Sequence, residues 1–231
     1  MKLSIIIPAY NEERTIEELL KKVSDVQIKG YEKEIIVIDD GSEDKTRDIL
    51  DGLKNKIGFT FLKHPKNIGK GGAIKTGLKK VTGDFVIIQD ADLEYEPKDY
   101  SLLLESIDKD YQVIYGSRNL GKTQRGYFLF FLAGKTLTFL FNFLYGAKIT
   151  DINTCYKLFR TDIIKNIGLE EDGFEFCEEV TARILRKGYK IKEVPINYYP
   201  RSFNEGKKIK FKDGLMAIWT ILRYKFKKLP F

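Results

Sequence analysis

Apolar positions follow two rhythms along this chain. Short runs rich in Ile, Val, Leu and Phe at 3–8, 34–39, 60–63, 85–89 and 112–115 read as strands. Between them, 12–23, 45–53, 72–80 and 97–107 carry apolar residues at helical spacing. Pro97 suits a first helical position, where its missing N–H costs nothing. Nearly continuous apolar strands alternating with helices predict an α/β fold: a mostly parallel, Rossmann-like sheet with helices on both faces. In such sheets ligands bind beyond the carboxyl ends of the strands.

The second half is less regular. An aromatic helix is expected over about 126–145, then a loop and strand over 151–160, a helix over 174–187 and an extended run over 191–198. Residues 201–212 are expected to form a Gly/Lys-rich loop. In the tail, Leu215, Ile218, Trp219, Leu222, Phe226 and Leu229 recur at helical spacing, flanked or opposed by Arg223, Lys225, Lys227 and Lys228. The expected division is a catalytic body, 1–212, and a basic amphipathic helix, 213–231, serving as a membrane-surface or docking element. The segment 127–145 is interrupted by Gly134, Lys135, Thr136, Thr138 and Asn142, so it reads as buried or interfacial rather than membrane-spanning. The apolar run at the start is too short for a signal peptide and reads as the first strand.

With 43% apolar residues among 231, the chain can bury a substantial core, which excludes disorder as its default state. Two cysteines, Cys155 and Cys177, make no disulfide framework; a reducing compartment and packing roles fit them. The net charge of +7 lies entirely within 201–231, which holds nine Lys or Arg and two Asp or Glu. A basic tail on a neutral body suits an anionic surface or phosphate groups, or simply solubility.

Polar clusters follow four predicted strands: Pro8-Ala9-Tyr10-Asn11-Glu12, Asp39-Asp40-Gly41-Ser42, Asp90-Ala91-Asp92-Leu93-Glu94 and Gly116-Ser117-Arg118. Turn chemistry explains any one of them, but explains all four at one sheet edge poorly. Asp90 and Asp92 stand two residues apart at a strand end, where both can reach one ion, with Glu94 as a third oxygen donor. Hard oxygen ligands favour Mg²⁺ or Mn²⁺, which keep few protein ligands and take the rest from substrate phosphates. A diphosphate ligand follows, with Arg118 or Lys135 neutralising further charge and Asp39 and Glu12 suited to ribose or base hydrogen bonds. The run 67–73, Asn-Ile-Gly-Lys-Gly-Gly-Ala, lacks P-loop spacing and reads as a tight turn into a closely packed helix more than as a phosphate cradle. His64 is the only histidine, so histidine clusters are excluded; before Pro65 it reads as a surface or loop residue.

These motifs, together with Thr150-Asp151, 155–160, Glu179…Thr181-Ala182 and Arg201…Glu205-Gly206-Lys207-Lys208, resemble family 2 glycosyltransferases, and more narrowly the dolichyl-phosphate mannose/glucose synthase group. The resemblance covers nearly the whole chain. It implies a GT-A fold and inverting, metal-dependent transfer of a hexose from a UDP- or GDP-sugar to a polyprenyl phosphate. It places Pro8, Ala9, Tyr10, Glu12, Asp39, Asp90, Ala91, Asp92 and Arg118 at the nucleotide-sugar, and Asp90, Asp92 and Glu94 at the metal. Arg118 and Arg201 face phosphates, and Asp151 takes the position of a base or an orienting group. Asp92, Asp151 and Arg201 are thus the expected catalytic residues. The mannose synthases often carry Gln where this chain has Glu94.

The phosphate acceptor is largely dianionic at neutral pH and needs cations more than a base. Arg201, Lys207 and Lys208 are candidates to bind it. Many members continue into transmembrane helices; one amphipathic tail implies a cytoplasmic protein, peripheral at the cytoplasmic face of a membrane. No nucleic-acid partner is expected. Three rival readings remain. A nucleotidyltransferase would carry a Gly-rich first loop, where this chain has Pro-Ala-Tyr-Asn-Glu. A non-catalytic phosphate- or lipid-binding module would leave Asp90 and Asp92 without a role. A family 2 transferase could instead act on a saccharide or other non-lipid acceptor.

Overall fold

A computed structural model of the chain describes residues 1–121, 128–201 and 211–228. Lys207 and Lys208, expected at the acceptor phosphate, and Leu229 of the tail stripe lie outside the described residues. The elements are β1 (Lys2–Ala9), α1 (Ile16–Asp25), β2 (Glu32–Asp39), α2 (Thr46–Leu53), β3 (Thr60–Lys63), α3 (Lys70–Leu78), β4 (Phe85–Ile88), α4 (Tyr100–Glu105), β5 (Val113–Ser117), α5 (Phe128–Tyr145), β6 (Lys157–Arg160), α6 (Thr161–Asn166), α7 (Phe176–Arg186), β7 (Ile191–Pro195) and α8 (Phe211–Phe226).

The strands form one sheet in the order β3-β2-β1-β4-β6-β5-β7. All run parallel except β6, which is antiparallel to both β4 and β5. Ile5, Ile6 and Ile7, Ile36, Val37 and Ile38, and Val86, Ile87 and Ile88 are buried on successive positions, as strands covered on both faces require. The α1 stripe of Ile16, Leu19, Leu20 and Val23 packs fully into this core. Because β6 runs backwards, its first residues arrive at the same sheet edge as the carboxyl ends of the parallel strands.

The largest late starts relative to the apolar pattern are those of α1 and α4. α1 starts at Ile16 rather than near Glu12 because 11–13 are tied to the loop after β2. The Asn11 amide donates to Ser42 Oγ at 3.0 Å and the Glu12 amide to Thr46 Oγ1 at 2.7 Å, while Asn11 Oδ1 accepts from the Glu43 amide at 2.8 Å. Asn11 sits at φ 49°, a left-handed conformation that asparagine tolerates. The ties leave Glu12 at the sheet edge instead of on a helix. At 97–99 a 3-10 turn opened by Pro97 precedes α4.

A second, smaller core joins Phe141 of α5, Ile149, Ile152, Ala182 of α7, and Ile221 and Tyr224 of α8. Tyr145 hydroxyl donates to the Ile221 carbonyl at 2.9 Å, and Arg186 Nη1 donates to the carbonyls of Tyr224 and Lys227 at 2.6 and 2.5 Å. A cation at the last carbonyls of α8 also complements the helix dipole. The tail helix therefore docks on the body. Its buried face is Ala217, Thr220, Ile221 and Tyr224, whereas the apolar stripe read from the sequence is exposed, with Trp219 at 59% and Phe226 at 76%. α5 behaves alike: Thr138 and Phe141 are buried, and Phe139 and Phe143 are 71% and 77% exposed. Among the described residues no helix is long and apolar enough to cross a membrane.

Candidate active site

The carboxyl ends of β1, β2, β4 and β5 bring the predicted polar clusters to one edge. The Arg201 guanidinium holds the centre. It bonds Glu12 through Nη1 and Nη2 at 3.0 and 3.2 Å and Asp92 through Nη2 at 3.0 Å. The Arg201 amide donates to Glu94 Oε1 at 2.7 Å, and Tyr198 hydroxyl donates to Glu94 Oε2 at 2.7 Å. Glu12 and Asp92, from the segments that follow β1 and β4, thus share one cation. Asp90 is turned to Lys70, whose Nζ lies 2.6 Å from its Oδ1. Ala9 and Ala91 are buried beside these groups, and Pro8 and Tyr10 are half-buried at the end of β1.

The electrostatics follow from crowding. Burial, then the carboxylates of Asp90 and Glu94, push the Asp92 carboxyl up to about 7, against the pull of Arg201. Arg201 keeps its charge because Asp92 and Glu12 outweigh the cost of its burial. Glu12, Asp90, Asp92 and Glu94 together outnumber the cations Lys70 and Arg201. Among the described residues, no group of three or more acidic, histidine or cysteine side chains is arranged to hold an ion unaided.

Asp39 is fully buried; Arg47 Nε donates to it at 2.6 Å and the Ser42 amide at 3.0 Å. Its neighbour Asp40 organises the next loop, accepting from the amides of Ile68 and Gly69 at 3.1 and 2.8 Å. His64 lies in a loop, as expected, but not at the surface: it is buried with Nδ1 2.7 Å from Asp40 Oδ1 and Nε2 3.0 Å from Thr76 Oγ1. The turn at 67–73 packs tightly. Gly69 has φ 105°, and a Cβ there would strike the Asp172 carbonyl, as one at Gly71 would strike that of Glu171. The Gly71 and Gly72 amides donate to the carbonyls of Gly173 and Asp172 at 3.2 and 3.0 Å. These N–H groups at the start of α3 are therefore taken by backbone rather than turned to a phosphate.

Next to Tyr198, at the end of β5, Arg118 grips Asp151: Nε to Oδ2 and Nη2 to Oδ1, both at 2.7 Å, with its own amide on Oδ2 at 3.1 Å. Burial alone would raise the Asp151 carboxyl, but Arg118 overrides it and holds it below the usual range. Glu193 of β7 fixes this loop by accepting from the Thr150 and Asp151 amides at 2.6 and 3.0 Å. The Arg118 guanidinium also lies over the Tyr198 ring at 5.1 Å. Lys135, expected to neutralise diphosphate charge, is instead on the exposed face of α5 over Phe131. Sequence reasoning missed Lys70, Glu193 and Tyr198 as parts of the site, and it placed Asp40 in a polar cluster without giving it a role. Of the three missed, only Lys70 carried a local signal, flanked by glycines.

The family description "Glycosyl transferase family 2" matches residues 4–168. A dolichol-phosphate mannosyltransferase of Pyrococcus furiosus is 31% identical over 212 residues, covering 90% of this chain and 59% of that protein. The chain therefore spans under two thirds of that relative's length. A dolichyl-phosphate beta-glucosyltransferase of Trichomonas vaginalis is 30% identical, covering 95% of this chain and 71% of that protein. Among solved structures, glucosyl-3-phosphoglycerate synthase of Mycobacterium tuberculosis in complex with Mn²⁺, UDP and phosphoglyceric acid superposes with a TM-score of 0.76 at 19% identity. That match covers 100% of this chain and 80% of the other. The same enzyme with Mg²⁺ and UDP gives a TM-score of 0.75 at 19% identity, with the same coverage. The expected fold is borne out: a mixed α/β, mostly parallel sheet like that of the GT-A structures.

Proposed function

This chain belongs to glycosyl transferase family 2 and is a glycosyltransferase, and from that premise we propose that it transfers a hexose from a UDP- or GDP-sugar to a polyprenyl phosphate at a membrane surface, with inversion and with Mg²⁺ or Mn²⁺. The observation that carries this reading is the convergence of Glu12 and Asp92 on Arg201 beyond the ends of β1 and β4. An anionic pocket bridged by a single guanidinium suits a divalent cation and the diphosphate that accompanies it.

The residues present fit such an ion. Carboxylate oxygens are hard donors, and the surplus of negative charge that drives Asp92 up to about 7 is what a divalent cation relieves. Asp92 would hold it, with Glu94 alongside and Glu12 and Asp39 towards the nucleoside. When bound, the ion offsets charge on the leaving diphosphate and templates it. Arg201 is poised to exchange its carboxylate partners for phosphate oxygens as ligands enter. Asp151 spends both oxygens on Arg118 and has a lowered pKa, so its role is to aim Arg118 rather than to take a proton. A dianionic phosphate nucleophile does not need a base.

The lipid acceptor draws support from the two dolichyl-phosphate relatives and from the outward faces of α5 and α8. Those helices pack side by side and expose Phe139, Phe143, Trp219 and Phe226, flanked by Lys135 and Lys225. Large aromatics with nearby cations suit the headgroup boundary of an anionic leaflet. Lys207 and Lys208 are proposed to meet the acceptor phosphate with Arg201.

The test is transfer from UDP-glucose, UDP-N-acetylglucosamine and GDP-mannose, with Mn²⁺, to polyprenyl phosphate in vesicles or to 3-phosphoglycerate in solution. Sugar entering the lipid phase from one donor supports the proposal. Preferential transfer to 3-phosphoglycerate overturns the lipid acceptor and leaves the transferase.

A further inference from the structure

The glycine-flanked turn before α3 is the motif that the donor site described above leaves without a task. Its backbone is clamped on both sides. Asp40 receives the Ile68 and Gly69 amides, and the carbonyls of Asp172 and Gly173 receive those of Gly72 and Gly71. The 170–173 loop is itself anchored: Glu179 accepts from the Glu170 and Glu171 amides at 2.7 and 2.9 Å, and Lys75 bonds Asp172 at 2.8 Å. So much fixing of one residue's backbone is informative when that residue carries a charge. The residue is Lys70. With the neighbouring amides occupied, its ammonium is the group the turn sends towards the cleft, and it meets Asp90 at 2.6 Å. Both side chains are largely shielded, at 14% and 21% exposure, so the pair is screened far less than a surface ion pair.

We propose that Lys70 is a positioning residue of the donor site: by pairing with Asp90 it withholds that carboxylate from the divalent cation and leaves Asp92 as the aspartate of the 90–92 turn that binds the ion. This rests on the reading that the cleft takes a divalent metal, and it assigns different roles to two carboxylates that look equivalent in sequence. Pairing one carboxylate internally weakens the site for a bare ion and makes it depend on phosphate oxygens delivered with the nucleotide. A site with two available aspartates would hold the ion without them, because affinity for hard cations rises with ligand charge.

The experiment is Mn²⁺ titration of the nucleotide-free protein, followed by electron paramagnetic resonance, in wild type and in Lys70→Met, Lys70→Arg, Asp90→Asn and Asp92→Asn. Circular dichroism melts verify folding. Lys70→Met is expected to bind bare Mn²⁺ about tenfold or more tightly than wild type, while its donor KM rises. Lys70→Arg is expected to restore wild-type behaviour. Asp90→Asn is expected to leave Mn²⁺ affinity near wild type, and Asp92→Asn to abolish it. The proposal is overturned if Lys70→Met binds Mn²⁺ no better than wild type, including the case in which neither binds detectably. It is equally overturned if Asp90→Asn costs as much Mn²⁺ affinity as Asp92→Asn, a comparison that stands even if Lys70→Met does not fold. Failure of the function itself is seen separately, as absence of transfer by wild type.

Discussion

In α1 the residues repeating at helical spacing, Ile16, Leu19, Leu20 and Val23, are fully buried; in α8 the repeating residues Leu215, Ile218, Trp219, Leu222 and Phe226 face outward. The docking face of α8 is made instead of Ala217, Thr220, Ile221 and Tyr224, and Tyr224 hydroxyl donates to Glu171 at 2.9 Å. An amphipathic stripe announces that a helix has an apolar partner, and the partner of α1 is the sheet. For α8 the protein uses a smaller, partly polar face, and the larger apolar stripe stays exposed among the described residues. α5 repeats the arrangement with Phe139 and Phe143.

The sharpest way to break this comparison is to shorten one leucine in each helix. Leu20→Ala should cost about 2–5 kcal/mol in urea unfolding, the usual range for a filled core site. Leu222→Ala should cost less than about 1 kcal/mol, as surface substitutions do. Equal losses would mean that the α8 stripe is packed in solution.

A second effect comes from α7, which contributes Val180 to the main core and Ala182 to the smaller one. Glu178 is buried against Asn153, and burial pushes its carboxyl up to about 7. Its folded-state pKa is above its unfolded value, so its contribution is intact below about 4.5 and is lost as pH rises through about 7. Asp92 acts in the same sense. Glu34 and Glu170, lowered to about 2, act oppositely, and their contribution is lost only as pH falls from about 4.5 towards 2. Thermal stability should therefore decline between pH 5.5 and 8. Glu178→Gln should recover up to about 3 kcal/mol at pH 8 while changing little at pH 5. An unchanged pH profile in that variant would remove Glu178 from the account.

Replacing Trp219 and Phe226 together by Ser should lower binding to anionic vesicles roughly tenfold or more in flotation, with the melting temperature preserved. Unchanged flotation would break the membrane side of the comparison. The smallest effect is expected at the exposed Glu17–Lys21 pair on the solvent side of α1, where Lys21→Ala should leave the urea midpoint unchanged.

Sequence pattern made the sheet, its helices and the Asp90-Ala91-Asp92 turn legible because each depends on local periodicity or on residues two apart. Less visible was whatever depends on distant partners. Glu12 leaves α1 because Thr46 and Ser42 hold its segment. His64 is buried because Asp40 lies 24 residues before it, and Lys70 meets Asp90 only once α3 and β4 are assembled. The α8 stripe is legible as apolar and helical, but periodicity carries no sign that distinguishes inward from outward. Glu193 gave no signal at all, as an acidic residue on an edge strand whose task is to hold the amides beside Asp151.

Binding of a metal-bound nucleoside diphosphate beside Glu12, Asp92 and Arg201, as proposed, is open to direct measurement. Calorimetric titration of UDP and of GDP, with and without Mn²⁺, into wild type and Asp92→Asn tests it most directly. One nucleotide is expected to bind only with Mn²⁺, and the variant to lose at least about a hundredfold in affinity, in keeping with a deleted ion ligand. Binding that is independent of Mn²⁺ and equal in the two proteins, or no binding of either nucleotide, would contradict it.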